Sequence, residues 1–104
     1  MFWADRIAEE IRQTRGGKGS LLIRDEKTIS GRIHVGAMRG VLIHGTISAI
    51  LTERGISNNF VYELNDFDAF DTVPVYLDAE KFTPHLGKPL FVVPSPDSSA
   101  KSYS

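Results

Sequence analysis

The sequence contains no cysteine. That excludes a disulfide framework and any metal site built on thiolates. It also lacks an excess of either charge: 12 Lys and Arg stand against 13 Asp and Glu, for a formal net charge of −1. A near-neutral chain has no general electrostatic pull on nucleic acid or on an acidic membrane, so any basic surface for RNA must come from other sequence. No apolar run is expected to approach the roughly 18 to 20 residues of a membrane span. The opening Met1-Phe-Trp-Ala-Asp-Arg lacks the basic-then-apolar order of a secretory signal. Together these absences set the expectation of a cytoplasmic protein without a membrane partner.

What is present suits one domain. A chain of 104 residues with 41% hydrophobic and 24% charged residues is ordinary for a globular protein and can bury about two-thirds of its extended surface. Phe2 to Arg15 reads as an amphipathic helix, with Trp3, Ile7 and Ile11 recurring every four residues and Ala8 beside them. Gly16-Gly17 ends it. Ser20-Leu-Leu-Ile-Arg24 reads as a short buried strand, and Asp25 to Ile33 as a polar loop around Ser30-Gly31.

A long helix is expected from about His34 to Arg54. Val35, Met38, Leu42 and Ala49 share one face, which Ile43, Ile47, Ile50 and Leu51 broaden, and Gly55 stands at the left-handed C-cap position. Gly36, Gly40 and Gly45 are poor helix formers, each costing about 1 kcal/mol relative to alanine. Close packing explains Gly40 and Gly45; ligand approach is preferred for Gly36. Asn59-Phe-Val-Tyr-Glu-Leu64 reads as a second strand. Strand, helix and strand in this order make a βαβ unit with parallel strands, whose ligands bind at the strands' C-terminal ends.

Beyond Asp71 the pattern weakens. Val73-Pro-Val-Tyr-Leu77 is extended at Pro74. Asp78 can cap a short helix toward Leu86, with Glu80 in its first turn and Pro84 breaking it early. Gly87 to Pro94 holds a further extended apolar segment, and the sequence from Ser95 is polar.

The chemistry suggested by this order is phosphate binding. A helix N-terminus offers unpaired N–H groups and partial positive charge. A histidine in its first turn can donate a hydrogen bond to a phosphate oxygen as charge builds there. His34-Val-Gly36, after a Ser-Gly turn and ahead of a long helix, combines these features. The plain alternative makes His34 a polar helix-start residue and Gly36 a packing glycine. His44 and His85 read as structural or surface residues.

Thr28-Ile-Ser-Gly-Arg-Ile-His-Val-Gly36 resembles the Thr-Pro-Ser-Gly-x-Val-His-Ile/Val-Gly signature of class I lysyl-tRNA synthetases. The opening Phe-Trp-Ala-Asp-Arg-Ile-Ala-Glu-Glu-Ile, Asn65-Asp-Phe-Asp68, Val73-Pro74, Gly87-Lys-Pro-Leu, Val93-Pro94 and Lys101-Ser-Tyr103 resemble further segments of the same family in the same order. The resemblance implies an α/β fold: a Rossmann-like unit with parallel strands and an N-terminal helix, forming the incomplete first half of a class I synthetase catalytic domain. It implies activation of lysine with ATP, accompanied by Mg2+, and transfer to tRNA(Lys) through regions beyond these residues.

Carried over residue by residue, His34 is the catalytic candidate. Thr28, Ser30, Gly31, His34 and Gly36 are the ATP-binding candidates. Thr28, Asp66 and Asp68 are the candidates for lysine, whose ammonium suits a carboxylate; the alternative for the acidic pair is turn chemistry. The sequence departs from the signature at Ile29, where proline is usual, and at Ala37, where a histidine or asparagine would add a hydrogen-bonding group. The segment matching a Cys/His metal-binding stretch of many members is Ser95-Pro-Asp-Ser-Ser-Ala-Lys101, so no zinc is expected and no metal ligand is assigned. The piece by itself is expected to have little activity. Two other readings stay open: a small nucleotidyltransferase with a His-x-Gly turn, and a non-catalytic nucleotide-binding module.

Overall fold

The computed structural model describes residues 1–15 and 17–104. Gly16, expected to end the first helix, lies outside the described residues. The elements are α1 (Trp3–Arg15), β1 (Leu21–Thr28), a 3-10 turn (Val35–Met38), α2 (Arg39–Glu53), β2 (Asn58–Asn65), α3 (Ala79–Phe82) and two further 3-10 turns (Thr83–His85 and Leu90–Val92). β1 and β2 pair in a two-stranded sheet. The Leu21 amide donates to the Ser57 carbonyl at 2.9 Å, which brings the two strand beginnings together and makes the pair parallel. The chain divides into two compact units, one of residues 1–26 and 34–63, the other of residues 27–33 and 64–104.

The first unit is built on α1, α2 and the leading parts of both strands. Ala4, Ala8, Ile47 and Leu51 are buried together, with Ile7, Ile11, Leu21, Ile23, Ile43 and Ile50 packed around them. Small alanines on α1 let it lie close to α2. The apolar residues of α2 therefore divide. Ile43, Ile47, Ile50 and Leu51 meet the core, whereas Val35, Met38, Leu42 and Ala49, expected on the same broad face, are exposed. The first turn is also wound as 3-10 rather than α. Taken from Val35 to Glu53, the helical stretch is 19 residues with mean hydropathy 1.3, long and apolar enough to cross a membrane by those measures. That corrects the expectation from the sequence; only 11% of that window is buried, with Ile47 and Leu51 as its residues in the core.

α2 ends in a Schellman motif. The Ile56 amide donates to the Leu51 carbonyl and the Gly55 amide to the Thr52 carbonyl, with Gly55 at φ 73°. Glycine adopts that φ without a Cβ clash. Asn58 then ties the start of β2 to α2, accepting from the Ser48 hydroxyl at 2.6 Å and donating to Thr52 Oγ1 at 3.1 Å.

β1 is longer than expected, because Asp25 to Thr28, read as loop, continue the strand. It is also buried on one face only: Leu21, Ile23 and Asp25 point inward while Leu22 is 65% exposed. On the open face Arg24 makes a two-pronged ion pair with Glu63 of β2, its Nε donating at 2.7 Å. This cross-strand pair holds the Glu63 carboxyl below its ordinary range and fixes register.

The inward Asp25 explains one helix glycine. A Cβ built on Gly40 would lie 2.0 Å from Asp25 Oδ2 and 3.0 Å from its Cγ, and Asp25 also faces His44 Nδ1 at 3.4 Å. Gly45 has ordinary space, 3.6 Å from Phe60. Gly40→Ala is therefore expected to destabilise the unit by about 1–3 kcal/mol through overpacking. Gly45→Ala is expected to stabilise it by up to about 1 kcal/mol through helix propensity. Urea unfolding of the two variants checks the opposite signs.

α1 is fastened to the end of α2 by charge. Arg54 reaches Asp5 at 3.2 Å and Glu9 at 3.1 Å, and Glu9 also accepts from Arg12 at 2.7 Å. The hydrogen bond from Arg12, with help from Gln13, pulls the Glu9 carboxyl from 4.5 down to about 2. A depressed carboxylate stabilises the fold above its unfolded value and loses that contribution as it protonates. Stability is thus expected to fall as pH drops from about 4.5 to 2, and Glu9→Gln is expected to flatten that limb. Thermal midpoints of both proteins across this range provide the check; parallel curves would contradict it.

The second unit is held by an aromatic cluster. Phe70, Phe82, Leu90 and Val93 are buried, with Val73, Leu77 and Tyr103 against them. Tyr103 meets Phe70 edge-on with centroids 5.2 Å apart. Asp78 caps α3, accepting from the Glu80 and Lys81 amides, and Pro84 ends the α geometry one turn later, as its sequence implies. Residues 87–94, expected to be extended, instead combine two structures. The Phe70 amide donates to Lys88 O, and the Leu90 and Phe91 amides donate to Asp68 O and Asp66 O. Leu90 to Val92 then turn in a 3-10 helix that buries Leu90.

Candidate nucleotide and amino-acid site

In the second unit the strand ends carry the turn singled out in the sequence. Thr28 is the last residue of β1, and its hydroxyl donates to Asp68 Oδ2 at 2.5 Å. Asp68 is held there from its own side of the sheet: Asn65 Oδ1 accepts from the Phe67 and Asp68 amides at 3.1 and 3.2 Å. The turn chemistry open to the acidic segment is thus present. The turn positions the Asp68 carboxylate beside Thr28. Asp66 participates through its backbone, accepting from Phe91, while its side chain is exposed. Thr28 and Asp68 are brought together; Asp66 is not part of that pair.

Ser30 and Gly31 follow. The Tyr103 hydroxyl donates to the Ser30 carbonyl at 2.8 Å. The Arg32 amide donates to the Tyr76 hydroxyl at 2.7 Å. The Arg32 guanidinium lies over the Tyr76 ring, 4.3 Å from its centroid. A Cβ on Gly31 would come 2.9 Å from the Tyr76 hydroxyl oxygen, so a side chain here would have to displace that phenol. A cleft of about 400 Å³ opens here, lined by Arg32, Tyr76, Asp97 and Tyr103 among others. Hydrogen bonds from Ser99 and Ser95 hold the Asp97 carboxyl below its ordinary value. Burial, then the contact with Tyr76, raises Tyr103 to about 12, so its phenol stays a neutral donor through the physiological range.

Tyr76, Tyr103 and Arg32 were not among the site residues expected from the sequence. Tyr103 appears there only within a family-like Ser-Tyr pair, and in the segment holding Tyr76 the family-like residues are Val73-Pro74, which do not single out the tyrosine. Their contacts with the turn are separated by 44 and 73 positions, beyond the reach of local pattern reading.

His34 and Gly36 belong to the first unit. His34 is extended, at φ −130° and ψ 175°, and its side chain caps nothing. The ring instead folds over Gly36, where a Cβ would stand 2.9 Å from His34 Cε1 and 3.0 Å from Nδ1. Gly36 is thus the residue that lets the imidazole lie across the helix start. The first closed hydrogen bond of the turn runs from the Ala37 amide to His34 O at 2.9 Å. Among the described residues no cluster of three or more His, Asp or Glu side chains is placed to hold a metal ion.

Residues 1–104 match the family of tRNA synthetases class I (K). The chain belongs to that family, and its parallel β1–β2 pair with intervening α2 is an incomplete Rossmann-like α/β unit of a class I synthetase. It is 31% identical over 104 residues to the lysine–tRNA ligase of Methanosarcina barkeri, covering 100% of this chain and 19% of that protein. It is 32% identical over 104 residues to the lysine–tRNA ligase of Pyrococcus furiosus, covering 100% and 20%. With the lysine–tRNA ligase of Borreliella burgdorferi it shares 30% identity over 103 residues, covering 98% and 20%. The chain spans about a fifth of the length of these relatives.

Proposed function

We propose that these residues form the opening part of the catalytic domain of a lysine–tRNA ligase, which activates lysine with ATP and transfers it to tRNA(Lys). The observation that carries the reading is the match of the entire chain to lysine–tRNA ligases at 31–32% identity. The Thr28–Asp68 bond and the His34–Gly36 contact support it, because both involve residues of the family-like segments.

In the reaction a carboxylate oxygen of lysine attacks the α-phosphorus of ATP. The bond from that phosphorus to the bridging oxygen breaks, and pyrophosphate leaves with its electron pair. The products are lysyl-adenylate and pyrophosphate, and the tRNA hydroxyl then displaces AMP. Mg2+ brought in with ATP would neutralise phosphate charge, and no residue is assigned to hold it. The residues here act by position and charge. His34 donates to a phosphate oxygen through an imidazole N–H, of which either tautomer has one. Ser30 and Gly31 present backbone to the nucleotide, and Gly36 serves the same segment by leaving room for the His34 ring across the helix start. Thr28 and Asp68 receive the lysine ammonium, for which a carboxylate already held by a hydroxyl is a pre-formed partner. The enzyme works in the cytoplasm.

Charging of tRNA(Lys) with labelled lysine by the whole enzyme, dependent on ATP and Mg2+, is the expected result. Charging with a different amino acid would overturn the assignment of substrate, and absence of any charging would overturn the assignment of activity.

A further inference from the structure

We propose that Tyr76 and Tyr103 are positioning residues for the nucleotide turn, setting from both sides the peptide planes that flank Gly31. The inference rests on the reading of Thr28–Gly36 as the ATP-binding segment and adds to it what holds that segment in shape.

The geometry is specific. The Ser30 carbonyl and the Gly31 amide belong to one peptide group, and the Gly31 carbonyl and Arg32 amide to the next. Both are trans, so within each group the C=O and N–H point in opposite directions. Tyr103 donates to the Ser30 carbonyl at 2.8 Å, which directs the Gly31 N–H away from that phenol. Tyr76 accepts from the Arg32 amide at 2.7 Å, which directs the Gly31 carbonyl away from the Tyr76 hydroxyl. A glycine between two peptide groups is the most freely rotating point of a turn. Here each neighbouring plane is tied to a phenol, and the Gly31 N–H is left aimed as a donor.

Each phenol is itself anchored. Tyr103 packs edge-on against Phe70 and lies 6.4 Å from Phe82 in the buried cluster, and its own amide donates to Val93 O at 2.7 Å. Tyr76 lies beneath the Arg32 guanidinium at 4.3 Å. Its hydroxyl also occupies the space a Gly31 side chain would need. The rigid aromatic core of the second unit thus reaches the turn through two hydroxyl groups, and the ligand these groups serve is the phosphate chain of ATP.

The test compares Tyr103→Phe and Tyr76→Phe in the whole enzyme. Both variants keep the ring, and with it the aromatic packing and the stacking of Arg32. Pyrophosphate exchange is measured against ATP and against lysine separately, with the thermal midpoint alongside. Loss of one oriented hydrogen bond is expected to raise KM for ATP about three- to tenfold in each variant, leaving KM for lysine and the thermal midpoint within error. A purely structural role would instead lower the midpoint and raise both KM values together, and that result overturns the proposal. So do unchanged kinetics in both variants when the unsubstituted enzyme is active, a failure confined to the tyrosines. An unsubstituted enzyme that neither binds ATP nor catalyses exchange overturns the nucleotide reading and this inference with it.

Discussion

Replacing His34 with alanine is expected to lower lysine-dependent ATP–pyrophosphate exchange by about 10²- to 10³-fold in the whole enzyme, the usual loss when one transition-state donor is removed. The fall should appear in kcat, because the role proposed for the imidazole is to serve charge that develops on phosphate as pyrophosphate departs. Stability should barely move. His34 is exposed, makes no capping hydrogen bond and contributes no side chain to either buried cluster. An equal loss of exchange and of thermal stability would mean that His34 is a structural residue at the helix start. Unchanged exchange would remove it from the site.

Gly36→Ala is expected to have the second-largest effect, and in an unusual combination. An added methyl group would stand 2.9 Å from His34 Cε1, so the imidazole must move off the helix start. A displacement near 1 Å of a catalytic group can cost about 10²-fold in rate. The same methyl group favours helical backbone by up to about 1 kcal/mol, so the variant should be as stable as the parent or more so. Because the damage acts through His34, the His34→Ala/Gly36→Ala double variant should be hardly slower than His34→Ala alone. Multiplicative losses in the double variant would mean that Gly36 serves the nucleotide directly and not by accommodating the histidine.

The elements with strong periodicity were legible in the sequence. α1, β2 and α2 lie within a few residues of their expected bounds, and the Gly55 C-cap and the Asp78 cap follow from residue chemistry alone. What failed was the choice of face on α2. Its apolar residues run around more than one side, and only packing against Ala4 and Ala8 selects Ile47 and Leu51 over Leu42 and Val35. The full length of β1 is not legible because Asp25-Glu-Lys-Thr28 has the composition of a loop. Its strand geometry comes from pairing with β2, with Arg24 outward on Glu63 and Asp25 inward on Gly40.

The site divides in the same manner. Thr28, Ser30, Gly31, His34 and Gly36 could be singled out because they lie in one short segment with a recognisable order. The Thr28–Asp68 bond and the two phenols join residues 40 to 73 positions apart, and no local pattern encodes them. Gly36 is the instructive case. Ligand approach is the reading preferred from the sequence, whereas the structure supplies a contact within the protein, the exposed His34 ring, which an added side chain would displace. Gly40 shows the expected cause, packing against the sheet, and Gly45 shows no tight contact.

Amino-acid-dependent ATP–pyrophosphate exchange by the whole enzyme, run with each of the standard amino acids in turn, tests the central claim most directly. The account predicts exchange with lysine, dependent on Mg2+, and none above background with the others. Exchange driven by another amino acid, or ATP binding with no exchange under any amino acid, would contradict it.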